Sequence, residues 1–509
     1  MNRAGRLKQL ASQSFVYGLG GLVSKAVGIF LLPIYLAHVT RDQFGAVELI
    51  MAAITLMAVL LRLGLTAAMF RFAFDHPGTD MRRRTMQTAF VGTLALSTLG
   101  VLVCAALTVT VPTFAGILGG VELTLIGLSG LWVSMNFDIV TGVYRIERRP
   151  VAYTAYSILN IFITIVLSVI LVVPLHLQAS GLLIGNFSGT YITYLLMVFA
   201  QRHTIGFRMF DRSLLMRMLH FSIPLMPAGM ALWALNVADR FQVQSLDSQA
   251  ELGSYSVAAK LALSVMLLIA AFQTAWPAFA NSMPTEDETR DVYRLVLTYW
   301  SMAMGWAVVV ISLAVPPYIH HSLPRSVWDA APVVPMLMLG SVMYGAYMIL
   351  NAGVNRSKKT RMTPVVTGIA AAANVGINFI AIPLWGIRGA GASTVIGYAV
   401  LVYLGWRNAQ RSYPVNYEWW RVIKITAVVS VVLLASVLAI PPTGAAGLSI
   451  RIALAALFPF LLIAAGVLSR GEQRIIRQRL IAMGMRRSPQ AVIQAEEEEA
   501  VEEEPVAEL

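Results

Sequence analysis

Apolar runs of about 20 residues recur along this chain between residues 15 and 467, each long enough to cross a hydrocarbon core about 30 Å thick as a helix. No water is present in such a core to satisfy backbone N–H and C=O groups, so only helices and closed barrels are stable there. Outer-membrane strands are about 10 residues long and alternate in polarity. These runs do neither. Composition agrees, with 57% hydrophobic and 13% charged residues, against roughly 25% charged in a soluble domain. The reading is an all-α polytopic membrane protein of about 14 transmembrane helices. Their predicted positions are 14–36, 45–67, 87–111, 117–140, 152–174, 179–200, 219–242, 251–275, 295–316, 331–352, 363–383, 389–406, 422–440 and 447–468.

Charge orients the chain. Of its 38 Lys and Arg residues, 30 fall in the N-terminal tail, in loops after even-numbered spans with the adjoining helix ends, and in the C-terminal tail. Four, Arg41, Arg325, Arg388 and Arg451, are assigned to the opposite side. Lys25, Arg62, Arg240 and Lys260 lie within spans. Positive loops stay cytoplasmic, so both termini are expected there. The same distribution accounts for the net charge of +12 without nucleic acid. Arg3, Arg6 and Lys8 precede the first apolar run, which is read as a retained span, not a cleaved signal. Residues 470–509 begin as a basic amphipathic stretch and end acidic, with a solubilising tail as the favoured reading.

Much chemistry is excluded. The single cysteine, Cys104, lies in an apolar run and permits no internal disulfide or redox pair. No GxxxxGKS/T loop, HExxH helix or serine–histidine–acid set occurs, and His320 and His321 are placed in a surface loop at 317–330. No enzyme, metal site or cofactor is expected, although transport coupled to protons or sodium remains open.

The halves of the chain resemble each other weakly. Spans five and six and spans eleven and twelve each carry an early Asn, a Pro at the far end, a short turn and a Gly-rich entry into the next helix. Pro33 and the pair Pro224 and Pro227 mark the openings of the two halves. This suggests two pseudo-symmetric six-helix bundles plus a C-terminal pair. The expected units are 1–205, 206–412, 413–469 and the tail 470–509.

Several stretches carry a family resemblance: YGLGGLVSKAVGIFLLPIYLAHVTRDQFG at 17–45, RLGLTAAMFRF at 62–72, FSIPLMPAGMALWALNVADRF at 221–241, LGSYSVAAK at 252–260 and NVGINFIAIPLWGIRGAGAS at 374–393. Over about 1–410 the chain resembles the polysaccharide-export flippases, in the superfamily that also holds MATE drug exporters and lipid II flippases. The resemblance implies alternating-access movement of undecaprenyl-diphosphate-linked oligosaccharide from the cytoplasmic to the periplasmic leaflet, for O-antigen or exopolysaccharide. A polysaccharide polymerase and a chain-length regulator are the candidate partners. A lipid II flippase and a cation-coupled MATE-type exporter are the alternatives.

Such a substrate has an anionic, hydroxylated head, and charges buried in a bilayer persist where they face a cavity or pair. The resemblance places the helices bearing Lys25, Arg62, Arg240 and Lys260 around a central cavity, making these the candidate diphosphate ligands. Snorkelling and helix-holding ion pairs are the competing readings. Asp239 and Arg240 point about 100° apart on a helix. Asp239 is therefore read as a partner for Lys260, as an ion-coupling site or as a ligand contact. Glu48 is assigned to the interface and Asp138 to an intrahelical network with Arg145. Asn236, Asn374 and Asn378 are candidate sugar contacts, with helix bridging as the alternative. Asn351 and Asn355 repeat the four-residue spacing, and Trp233, Trp276 and Tyr255 offer stacking faces. Pro224 and Pro227, lacking amide donors, are candidate hinges or static kinks.

Overall fold

A computed structural model describes residues 27–75, 79–111, 116, 118–280, 285–357, 359–468 and 472. Lys25, the start of the first span and nearly all of the tail lie outside the described residues. Regular structure among the described residues is entirely helical. The first helices are α1 (Val27–His38), α2 (Arg41–Arg62), α3 (Leu65–Asp75) and α4 (Thr79–Thr110). Next come α5 (Val121–Ile146), α6 (Pro150–Val172), α7 (Gln178–Ala200) and α8 (Arg212–Ser222). Then follow α9 (Met226–Leu246), α10 (Gln249–Ala280), α11 (Glu286–Ser322) and α12 (Val333–Arg356). The last three are α13 (Thr363–Ser412), α14 (Trp419–Ala439) and α15 (Ala445–Ala464).

Among the described residues, eleven helices are long and apolar enough to cross a membrane. The protein is therefore a polytopic all-α membrane protein. The expected count of fourteen differs from this figure at identifiable places. Only 27–38 of the first span is described, and α9 is less apolar than the other spans because Asn236, Asp239, Arg240, Gln242 and Gln244 interrupt it. Predicted spans eleven and twelve are two helices that meet at a non-helical turn at Gly386, with φ 55° and ψ −138°, and they count once because both fall within the range of α13. A side chain on that residue would be strained, which explains why glycine occupies the turn.

Successive long helices run in opposite directions, so the bundle has an Arg41 end and an Arg356 end. Helices α2 to α7 pack largely on one another, as do α9, α10, α12 and α13. Helix α2 lies against both α9 and α10 and joins the two sets, while α14 and α15 pack on α11. The α2–α10 contact is backbone to backbone. A Cβ on Gly45 would fall on the Gln249 carbonyl oxygen, and one on Gly253 would fall on the Arg41 carbonyl oxygen. Large apolar side chains including Phe30, Phe199, Trp420 and Phe460 remain exposed on the outer surface, where lipid rather than water is their solvent.

Two placements differ from the sequence reading. Helix α11 runs 37 residues, through Pro316 and Pro317, so His320 and His321 occupy its last turn instead of a loop. A proline at 317 removes the amide that would bond the Leu313 carbonyl. Arg451, counted above with the cations of the opposite side, is buried within α15 at 3% exposure. One of its nitrogens lies 3.5 Å from the Leu313 oxygen and 2.8 Å from the Ser436 hydroxyl. Another donates to the Ser436 and Ile440 carbonyls at the end of α14. The guanidinium thus serves backbone oxygens at a helix C-terminus, the end whose dipole favours a cation.

Two expectations follow. Gly45→Ala should lower the Tm in detergent, because overpacking typically costs about 1–3 kcal/mol. Gly368→Ala, where an added Cβ meets nothing within 4 Å, should not. Arg451→Met should also lower Tm, by leaving buried carbonyls without donors at about 1–3 kcal/mol each. An unchanged melting curve would remove the bridging role.

Candidate functional site

Three of the expected intramembrane cations, Arg62, Arg240 and Lys260, each have an acidic partner. Arg62, in the last turn of α2, reaches Asp138 of α5 at 2.8 Å. Lys260 of α10 reaches Glu48 of α2 at 2.7 Å and lies 5.6 Å from the Phe44 ring centroid. Arg240 of α9 lies 3.6 Å from its neighbour Asp239 and donates to the Asn236 carbonyl at 3.1 Å. Three expectations are thereby corrected. Asp138 engages Arg62 on another helix rather than Arg145 on its own. Glu48, with its side chain 12% exposed, is an internal partner rather than an interface residue. Lys260 pairs with Glu48, leaving Asp239 to Arg240. The 100° offset does not prevent that last pair, because the long arginine side chain folds back along its own helix.

At the Arg41 end, Arg41 fastens α2 to the other helix set. It lies 3.0 Å from Glu251 and 3.5 Å from Asp329, and it donates to Ser254 and to the Ser326 carbonyl. Ser254 donates in turn to Asp329 at 2.9 Å. The Gly45–Gly253 approach lies directly beneath. In this conformation the two helix sets are closed on each other at the Arg41 end. Further along α2, Trp233 of α9 donates to Thr55 at 3.0 Å.

The structure gathers three of the expected residues around one small cavity. Asn236, Asp239 and Arg240 line a space of about 120 Å³ together with Tyr255, Ser341, Thr394 and Tyr398. Asp239 is 5% exposed and accepts a hydrogen bond from Tyr255, while Tyr398 donates to the Asn236 side chain at 2.7 Å. Tyr255 is therefore a buried partner of Asp239 and not an exposed stacking face. No sequence signal points to Ser341, Thr394 or Tyr398, which arrive from α12 and α13 through tertiary packing.

The other site residues lie apart. Asn374 and Asn378 are buried on α13, at 1% and 0% exposure. Asn378 donates to Gln242 of α9 at 2.8 Å, the helix-bridging arrangement, whereas Asn374 has no partner for either amide atom. Pro224 sits in a 3-10 turn, Ile223–Leu225, that separates α8 from α9, and Pro227 is the second residue of α9. The backbone thus breaks where donors are missing. An apolar cavity of about 370 Å³, lined by residues such as Trp300, Trp406 and Trp419, lies among α11, α12, α13 and α14. Among the described residues no three His, Cys, Asp or Glu side chains come together to hold a metal ion.

The chain is similar to known proteins in sequence over its central part and in fold over most of its length. Residues 38–331 match the model of the polysaccharide biosynthesis protein family. The chain belongs to that family. No significant match is found among curated proteins. Among solved structures, the chain is similar to the lipid II flippase MurJ in its inward closed conformation, at 14% identity and a TM-score of 0.67. That likeness covers 92% of this chain and 100% of the other. It is also similar to multidrug resistance MATE family transporters of the MOP superfamily. The inward-facing one gives 16% identity and a TM-score of 0.57, covering 83% of this chain and 95% of that one. The outward-facing one gives 17% and 0.58, covering 83% and 96%. The fold is thus the one seen in these flippase and transporter structures.

If the Glu48–Lys260 pair carries energy between the helix sets, the swap E48K/K260E should retain more stability than either single reversal. A double-mutant cycle should return a coupling of about 1 kcal/mol, modest because Lys260 is partly exposed. A coupling indistinguishable from zero would make the contact incidental.

Proposed function

We propose that the protein moves a polyprenyl-diphosphate-linked saccharide between the leaflets of a bacterial cytoplasmic membrane by alternating access. The observation that carries this reading is the family match over residues 38–331, on a fold of the flippase and transporter type. The cytoplasmic side is assigned to the Arg356 end, where the loops and adjoining helix ends collect most of the arginines. The Arg41 network then closes the periplasmic side, and a substrate would enter from the cytoplasmic leaflet. A polymerase and a chain-length regulator would act on the product if the saccharide is a polymer repeat unit.

Two saccharide classes divide the support. The family description favours a polysaccharide precursor such as an O-antigen or exopolysaccharide unit. The likeness to MurJ favours lipid II, and it has the broader backing because it spans both chains nearly end to end. MATE-type efflux is the third reading. The charge of the bundle interior does not by itself oppose it, since Arg62, Arg240 and Lys260 all have carboxylates.

In this proposal the ion pairs are exchangeable: a diphosphate displaces Asp138 from Arg62, Asp239 from Arg240 or Glu48 from Lys260. Lys25 would contribute a further cation. Asn236 lies at an accessible position for a sugar hydroxyl, whereas Asn374 and Asn378 would need a rearranged α9–α13 contact. Asp239, held by Tyr255 and Arg240, is the candidate coupling group. The break at Pro224 and Pro227 is the candidate hinge.

Purified protein in proteoliposomes should move either lipid II or an undecaprenyl-diphosphate oligosaccharide selectively. Movement of an organic cation instead would replace the proposal with efflux. Arg62→Gln and Arg240→Gln should slow transport about tenfold or more at normal membrane levels, matching the loss of one charge-assisted hydrogen bond. Asp239→Asn should change the dependence on proton or sodium gradients.

A further inference from the structure

A second polar cavity lies at the Arg356 end, apart from the ion pairs. It measures about 460 Å³ and is enclosed by α9, α10, α12 and α13. Pockets for small organic ligands span roughly 300–1,000 Å³. Helix α12 supplies a stripe of Tyr344, Tyr347, Asn351 and Asn355, spaced so that all face one side. Trp276 comes from the end of α10, and Thr363 from the start of α13.

Thr367 donates to the Thr363 carbonyl, but several other polar groups here lack a partner among the described residues. The indole nitrogen of Trp276 is buried with no hydrogen bond, although the residue is only 3% exposed. The Thr363 hydroxyl is likewise buried and unpartnered. Neither side-chain amide of Asn351 or Asn355 bonds to another described residue. Asparagine inside a membrane helix normally finds a partner across a helix interface, as Asn378 does. Buried donors left open are costly unless water or a ligand completes them. Among the described residues, no acidic or basic side chain lines the space. An anion or cation therefore finds no counter-charge, whereas a neutral polyhydroxylated ring finds amide and hydroxyl groups together with aromatic faces for its C–H surface.

We infer that this cavity binds a neutral sugar residue of the transported head group, while the diphosphate engages cations elsewhere. The inference rests on the proposed lipid-linked saccharide substrate. The cavity sits at the end of the bundle opposite the Arg41 closure, where the substrate would load. It is the saccharide-reading part of the site, and Asn351 and Asn355 are specificity residues rather than diphosphate ligands.

The test is native mass spectrometry of the full-length protein in a polyoxyethylene detergent, which carries no sugar. The probes are undecaprenyl diphosphate, lipid II and undecaprenyl-diphosphate galactose. Wild-type protein should bind a sugared probe more tightly than the bare diphosphate. N351A/N355A should lose about tenfold in affinity for that sugared probe, the scale of two neutral hydrogen bonds, while holding bare undecaprenyl diphosphate unchanged. Thr363→Val, nearly isosteric, should give a smaller loss in the same direction and guards against misfolding of the double variant. Equal weakening toward sugared and bare probes would overturn the inference, as would equal wild-type affinity for all three. Wild-type binding of none of them would overturn the lipid-linked substrate reading, and this inference with it.

Discussion

The constraint on which the joining of the two helix sets depends is the backbone contact of α2 with α10. Gly45 and Gly253 leave no room for a Cβ on either helix, so the two main chains approach through small residues instead of through side chains. Lipid is as apolar as leucine, and close packing of this kind is what joins helices in a bilayer. Everything that links the two helix sets follows from that approach. Arg41 reaches Glu251 and Asp329, Glu48 reaches Lys260, and on the adjacent α9 Trp233 reaches Thr55.

Charge is then distributed as the bilayer demands. An isolated cation in hydrocarbon is expensive, so the described cations inside the bundle are partnered. Their partners differ in kind. Arg62, Arg240 and Lys260 take carboxylates, which another anion can replace. Arg451 takes backbone carbonyls at the end of α14 and beside Pro317, and these cannot move without unravelling the helix ends. The distinction separates cations suited to ligand exchange from a cation that holds the scaffold, although all four are arginine or lysine within apolar sequence. Neutral polar groups divide in the same way. Asn378 is satisfied by Gln242 and acts as a helix bridge, while Asn351 and Asn355 border an open cavity with no partner.

Much of the architecture was legible in the sequence because its cause is one-dimensional. The length of an apolar run fixes whether a helix can span, and the period of Arg and Lys along the chain fixes which ends share a side. The turn at Gly386 was visible as a glycine-rich break, and the bend before α9 as two prolines. The long α11 was not legible. Pro316 and Pro317 read as a terminus, and the group that supports the helix there, Arg451, lies more than a hundred residues away.

The sequence by itself determined a multi-spanning helical protein, the family to which its central stretches are similar, and which residues are charged or amidated within apolar segments. Tertiary structure decided what each of those residues does. Asp239 stands beside Lys260 in a sequence reading of neighbouring helices, yet it bonds Tyr255 and Arg240 while Glu48 takes the lysine. The reason is geometric: helical periodicity gives the face on which a side chain lies, but its partner depends on which helix covers that face and at what height. Those two quantities are set by interhelical packing at Gly45 and Gly253, not by the pattern of any one segment.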